Sequence, residues 1–239
     1  ECNVIAVFDG MGGETSGEIA SFLASEEMDI LEEQLHPDTT AEDLEKALKY
    51  YYGLFMERLE NSLEDEYTVC GTTCAGVVCI QERILPFWMG DSRVYLLRDG
   101  KLTQLTKDHS LAQRKIDRGL ITEADARKTP DWNTIYSYMG KYEAEFSVAA
   151  KLELCRGDRL FLCTDGISDM YGNEELEKLL QTSLQKVMAV LNRDACTKAK
   201  NASGKFDDHG ALWFSGNDST TGVSDVVSVS EWDPDDGKV

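Results

Sequence analysis

The sequence is short of positive charge and of histidine, and it has no long apolar run. Lys and Arg number 24 against 44 Asp and Glu, a formal net charge of -20 at pH 7. A field of that sign repels phosphate backbones and anionic headgroups, so neither nucleic acid nor an anionic membrane is an expected partner. Most of the charge reads as solubility; a metal site would use only a handful of the carboxylates. No stretch of about 18 apolar residues is present, so no membrane insertion is expected. No basic, apolar leader opens the sequence, which gives no sign of a signal peptide. The three histidines, His36, His109 and His209, are too few and too scattered for a zinc cage. Cysteine is present seven times, an odd number. Cys79, Cys155 and Cys163 fall within apolar runs, where cysteine acts as a small hydrophobe. Cys70 and Cys74 have no second pair at zinc-ligand spacing, so free thiols in a reducing cytoplasm are expected.

Several chemistries are missing as well. There is no Gly-x-Ser-x-Gly elbow and no Gly-x-x-x-x-Gly-Lys-Ser/Thr loop. No cysteine and arginine stand at the spacing of a thiol nucleophile that attacks phosphate. Asp233-Pro234-Asp235-Asp236-Gly237 has its glycine one position early for a calcium loop and lacks the required Glu.

What is present fills one core: 239 residues, 42% of them hydrophobic. Asn3 to Phe8 reads as a strand stopped by the glycines that follow. Apolar residues at helical spacing predict a helix from Gly17 to about Leu35, ended by Pro37. A second helix starts near Thr40, with Thr40-x-x-Asp43 as its cap. Strands follow over Thr73 to Ile80, Leu85 to Met89 and Arg93 to Leu97, and the turn Asp99-Gly100 leads to another near Lys101 to Leu105. Asp108 to Lys141 reads as short helices and loop. Glu145 to Leu154 and Leu160 to Cys163 read as strands, Glu174 to Leu180 and Leu184 to Ala202 as helices, and Gly210 to Phe214 and Val223 to Val229 as closing strands. Strands and helices in blocks, without βαβ alternation, predict an α+β fold. Residues 1–214 are expected to form one domain, with 215–239 as a C-terminal strand or tail.

Three aspartates end apolar strands. Asp9 follows Val4 to Phe8, Asp91 follows Leu85 to Met89 with only Gly90 between, and Asp165 follows Leu160 to Thr164. Asp9 and Asp165 are each followed by glycine, which lets the backbone turn and a carbonyl approach a ligand. Asp169 lies four residues after Asp165, on the same side if a helical turn begins there. Carboxylates so close are unfavourable unless a cation neutralises them, and an oxygen-only set suits magnesium or manganese. Each Asp-Gly pair alone is more often a plain turn, as at Asp99-Gly100; three strand-end aspartates together favour a site.

These residues fall within a longer pattern. Phe8-Asp9-Gly10-Met11-Gly12-Gly13 with Gly17-Glu18-Ile19-Ala20, then Cys70-Gly71-Thr72-Thr73, then Gly90-Asp91-Ser92-Arg93-Val94-Tyr95, then Leu105-Thr106-Lys107-Asp108-His109-Ser110, then Gly157-Asp158-Arg159 and Cys163-Thr164-Asp165-Gly166-Ile167-Ser168-Asp169 resemble, in order, the motifs of the metal-dependent protein phosphatases. This is the type 2C serine/threonine family in its bacterial form. The resemblance implies a four-layer sandwich, two antiparallel β-sheets packed face to face and flanked by helices. It implies hydrolysis of phosphoserine and phosphothreonine in proteins by a metal-bridging water, with two or three Mn2+ or Mg2+ ions. Asp9 and Asp165 become the catalytic residues. The metal set becomes Asp9, the Gly10 carbonyl, Asp165 and Asp207, with Asp91 and Asp169 at a weaker third site. The last ligand is Asp207 on its context between a helix and an apolar strand, or else Asp218. Residues 108–145 become a flap beside the site. The partners implied are a phosphorylated protein and an opposing serine/threonine kinase, in the cytoplasm.

The family's Arg-x-x-Asn-Glu-Asp strand, which would precede Asp9 and grip phosphate, is not in the sequence, and truncation is the expected reason. Arg93 is the first alternative for the phosphate. The rival reading is a pseudophosphatase that binds or regulates without turnover.

Overall fold

The computed structural model describes residues 2–12, 16–63, 70–183, 186, 187 and 189–191, and the backbone of 209–214 and 228–231. The chain opens with β1 (Cys2–Gly12), an interior strand of the larger sheet. On one side β1 pairs with β10 (His209–Phe214), and on the other with β2 (Cys70–Thr72) and β3 (Cys74–Ile80). Beyond β3 come β4 (Arg83–Met89) and two short pieces on its outer edge, β7 (Ser147–Val148) and β8 (Leu152–Glu153). The second sheet runs β11 (Ser228–Glu231), β9 (Arg159–Cys163), β5 (Arg93–Arg98), β6 (Lys101–Gln104). Every pairing is antiparallel.

Side-chain alternation along the strands builds the layers. In β1, Val4, Ala6 and Phe8 face helices, while Ile5 and Val7 face the second sheet. In β3 and β4 the division repeats: Val78, Leu85 and Phe87 go to the helices, and Val77, Cys79, Ile84 and Trp88 go between the sheets. From the second sheet, Val94, Leu96, Leu160 and Leu162 meet them. Its outer face carries Tyr95, Leu97, Phe161 and Cys163 to a third cluster. The result is the α+β four-layer sandwich that the resemblance implies. Because both faces of β1, β3 and β4 are covered, these strands are apolar almost throughout, and polar side chains emerge only where a strand leaves the core.

Three helices cover the larger sheet: α1 (Ser16–Glu26), α2 (Met28–Glu33) and α3 (Ala41–Ser62). The single helix expected over 17–35 is therefore two. They part at Glu27, beside Arg58 of α3, which donates to Glu26 at 2.5 Å and to Glu27 at 2.7 Å. The Thr40 cap is formed as expected, with Asp43 N–H donating to the Thr40 hydroxyl at 3.2 Å and Thr40 N–H to the Asp43 carboxylate at 3.1 Å. From there Leu44, Leu48, Tyr51, Phe55 and Leu59 recur at intervals of three and four and are buried against the sheet. The other outer layer holds α6 (Asp165–Ser168) and α7 (Asn173–Leu180). Residues 108–145 contain α4 (Leu111–Asp117) and α5 (Glu123–Ala126) within loop.

The strand expected over 145–154 is broken into β7 and β8 by a one-residue slip in register, Phe87 facing Val148 but Ile84 facing Leu152, and the slip falls at Pro86. Its carbonyl accepts from Ala149 N–H at 2.9 Å, so its missing N–H lies on the same edge and one rung of the ladder cannot form. Of the helix expected over 184–202, residues 186, 187 and 189–191 are described, as helix. Of the strand expected over 223–229, only residues 228 and 229 are described, as the start of β11.

Tyr51 ties two of the helices together. Its ring is fully buried, and its hydroxyl donates to the Ala24 carbonyl at 2.7 Å. Tyr51→Phe leaves that carbonyl unpaired in the core. A loss of about 1–2 kcal/mol is expected in urea unfolding, with little change in far-ultraviolet circular dichroism.

Candidate metal centre

The end of β1 is where the first acidic side chain leaves the core. Thr73 stands directly opposite Asp9, in the single gap between β2 and β3, and the ladder is distorted there. Thr73 N–H donates to the Asp9 carbonyl at 2.8 Å in the ordinary way. The Asp9 N–H, however, donates to the Thr73 hydroxyl at 3.2 Å. That hydroxyl also lies 2.6 Å from the Ser92 hydroxyl, and the Thr72 hydroxyl donates to the Asp9 carbonyl at 3.0 Å. The backbone of Asp9 is thus tied, through one threonine, to the residue next to Asp91. Gly10 and Gly17 lie backbone against backbone: a Cβ on either would overlap the other's main chain. This brings the start of α1 against the end of β1.

Asp91 is carried on a turn after β4. Gly90 there has φ +112°, a left-handed conformation open to glycine. Burial, and then the neighbouring Asp165 and Asp108, push the Asp91 carboxyl up to about 8, against an opposing pull from Arg93. Arg93 itself grips Asp108 with two nitrogens, at 2.9 and 2.5 Å, and donates to the Tyr95 hydroxyl at 3.2 Å. Both partners are largely buried. Arg93 is therefore engaged in a forked ion pair, not held open for a phosphate.

Asp165 and Asp169 come from the short turn after β9. Asp169 N–H donates to the Asp165 carbonyl at 2.8 Å, so the helical turn inferred from their spacing is present. Arg127, next to α5, donates to the carbonyls of Ser168 at 2.8 Å, Asp169 at 3.1 Å and Tyr171 at 3.2 Å. A cation at the C-terminal end of that turn complements its carbonyls. Residues 108–145 also reach β2, where Thr72 and Met139 exchange N–H to carbonyl bonds at 2.9 and 2.8 Å. One cleft is lined by Asp91, Arg93, Asp108, Asp165 and Asp169, with Ser110, Trp132, Asn133 and Ser168 around them.

The structure thus gathers three of the expected acids, Asp91, Asp165 and Asp169, in one cleft. Asp9 and Gly10 lie at the adjoining strand end and are linked to it through Thr73 and Ser92. Asp207 and Asp218 lie outside the described residues; β10 begins at His209, paired with Gly10. Sequence reasoning did not assign Thr73, Asp108, His109 or Arg127 to the site. All but Arg127 stand in the quoted motifs, but their role is visible only in the bonds they make.

Known proteins resemble this chain over most of its length. The profile of the Protein phosphatase 2C family matches residues 1–201. The chain belongs to that family. It is 33% identical over 178 residues to the serine/threonine protein phosphatase PstP of Mycobacterium tuberculosis, an alignment that covers 74% of this phosphatase 2C chain and 34% of the relative. The chain therefore spans about a third of the length of that relative. It is 30% identical over 184 residues to the serine/threonine phosphatase stp of Listeria monocytogenes, covering 75% and 72% of the two chains. Among solved structures, M. tuberculosis PstP superposes with a TM-score of 0.71 at 32% identity, covering 81% of each chain. The PstP catalytic domain in complex with two manganese ions gives 0.68 at 31% identity, covering 81% and 80%.

Among the described residues, no three His, Cys, Asp or Glu side chains stand close enough to hold an ion by themselves. By donor type the cleft nevertheless fits a hard divalent cation: Asp91, Asp165 and Asp169 line it while Asp108 is held by Arg93, and burial, then the neighbouring acids, raise Asp91. The raised Asp91 carboxyl has a measurable consequence. An unfolded Asp loses its proton near pH 4. Asp91 in the folded, metal-free chain holds its proton until about 8. Between those values the folded state binds more protons, so stability falls as pH rises. In chelator, the melting temperature is expected to drop from pH 5 to pH 8. Asp91→Asn should flatten that slope and raise the pH 8 melting point by on the order of 5 °C.

Proposed function

We propose that the chain hydrolyses phosphoserine and phosphothreonine in proteins, with two or three Mn2+ or Mg2+ ions as cofactor. The observation that carries this is the cleft holding Asp91, Asp165 and Asp169 beside the strand end of Asp9 and Gly10, in a chain of the phosphatase 2C family. In this reading Asp9, the Gly10 carbonyl, Asp165 and Asp207 hold two ions, and Asp91 and Asp169 share a third with Asp165. When bound, such ions supply a nucleophile at neutral pH and neutralise the charge of the transferred phosphoryl group. The chain's own residues contribute placement. The Asp9 backbone is fixed by Thr73, Asp165 and Asp169 share a helical turn capped by Arg127, and Arg93 keeps Asp108 paired. Among the described residues, the cleft is lined by no cysteine or histidine that could attack phosphorus directly.

Ser110, Trp132 and Asn133 form one wall of the cleft, which supports a role for residues 108–145 in substrate choice. Residues 1–214 are the proposed catalytic unit and 215–239 its C-terminal strand or tail; the pairing of β11 with β9 supports the strand. The proposed partners are a phosphorylated protein and an opposing serine/threonine kinase. The proposed compartment is the cytoplasm, in keeping with six free cysteines among the described residues. No helix among those residues is long and apolar enough to cross a membrane.

The expected outcome is release of phosphate from a phosphothreonine peptide with Mn2+ or Mg2+, abolished by excess chelator. Asp165→Asn should lower turnover on the order of hundredfold or more while the circular dichroism spectrum is kept. Undiminished turnover in chelator would sink the reading.

A further inference from the structure

His109 is a buried side chain that the proposed mechanism does not use, and all of its polar atoms are engaged. Its backbone N–H donates to the Gly90 carbonyl at 2.8 Å, and the Gly90 N–H donates to its ring Nδ1 at 3.3 Å. One residue therefore binds both backbone groups of Gly90. A ring nitrogen that accepts from an N–H has a free lone pair, so the imidazole is neutral and its proton is on Nε2. Nε2 then donates to the Ser147 hydroxyl at 3.0 Å. The His109 carbonyl accepts from Tyr136 N–H at 2.8 Å. The ring lies between those of Trp88 and Tyr136, with centroids 6.1 and 5.6 Å away. Burial holds its pKa down to about 4, in keeping with a ring that stays neutral.

Gly90 is the last residue before Asp91, and its φ of +112° leaves the direction of the following carboxylate to whatever fixes this turn. On one side the Thr73 side chain crowds it, close enough that a Cβ would meet that side chain at 2.7 Å. On the other side His109 holds it. We propose that His109 is a positioning residue: through the Gly90 backbone it aims Asp91 into the acidic cleft, through Tyr136 it links that aim to the flap, and through Ser147 to β7. The proposal rests on the phosphatase reading for its catalytic consequence, and on the hydrogen bonds alone for its structural one. Groups that orient an ion's ligands act this way in general, by fixing geometry without touching the reacting atoms.

Two replacements separate this role from simple filling of space. The amide oxygen of Asn can take the place of Nδ1, whereas the longer Gln places its amide near Nε2 and leaves Gly90 N–H without its acceptor. Gln is the closer match to histidine in volume, so a packing role would rank it above Asn. In the full chain, His109→Asn is expected to keep Gly90 amide hydrogen exchange, read by NMR, within about threefold of the parent, and His109→Gln to speed it about tenfold. The Mn2+ concentration giving half-maximal hydrolysis of a phosphothreonine peptide should stay within about twofold in His109→Asn. It should rise about tenfold in His109→Gln, with the KM for peptide unchanged. A Gln variant equal to the parent, or Asn and Gln variants impaired equally in step with their melting temperatures, would overturn the proposal. If a replacement does not fold, Ser147→Ala frees the ring at Nε2 and should still speed Gly90 exchange, about threefold; unchanged exchange there overturns the proposal as well. Should the parent chain hydrolyse no phosphopeptide, the proposed function fails, while Gly90 exchange still decides whether His109 is the clamp.

Discussion

Carboxylates that share a cleft repel one another, and the cleft of this chain holds four: Asp91, Asp108, Asp165 and Asp169. Much of the local architecture can be read as the means of keeping them there. Asp108 is neutralised by the Arg93 fork. The main chain of the other acids is held by neighbours that leave the carboxylates facing the cleft. Arg127 takes three carbonyls around the turn of Asp165 and Asp169, and His109 takes both backbone groups of Gly90. Asp9, at the adjoining strand end, is held by Thr73 in the same manner. Each clamp acts on backbone, so the site is stiff before any cation arrives. Stiffness of this kind is what a reaction that depends on placement and charge requires.

Two of those clamps, and a third fastening, come from the same piece of chain. His109 holds the turn of Asp91, Arg127 holds the turn of Asp165, and Met139 bonds Thr72 next to the pairing of Thr73 with Asp9. Among the described residues, 108–145 are thus joined to the turns that carry Asp91 and Asp165 and to β2, the strand beside Asp9. A segment that walls the cleft and also braces its floor links what touches the wall to the geometry of the floor.

Much of this was legible in the sequence, and the reasons differ by element. The apolar strands ending in Asp9, Asp91 and Asp165 announced themselves because a strand buried on both faces is almost wholly apolar, so its first acid stands out. The Thr40 to Asp43 cap and the Asp99-Gly100 turn are local chemistry and were read locally. Other features were not, because they depend on partners far away in the chain. The Thr73 hydroxyl replaces a backbone acceptor 64 residues from its donor. Arg93 reads as available to a phosphate, but Asp108, 15 residues further on, accepts from its guanidinium. The division at Glu27 falls where Arg58 meets both ends, and Pro86 breaks a strand that lies more than 60 residues further on. His109 stood within a quoted motif, yet a histidine beside an aspartate gives no hint of which backbone it will hold.

The break at Pro86 has an outcome for the surface as well. β4 is the last full strand on its side of the larger sheet, and a seven-residue edge of unpaired backbone would offer a template to any other extended chain. Instead that edge carries two pieces of two residues each, with one rung missing at the proline. No foreign strand can run along it in continuous register. A chain whose core strands are rich in valine, isoleucine and cysteine is thereby protected at its flank from joining others of its kind, by a slip of one residue opposite a proline.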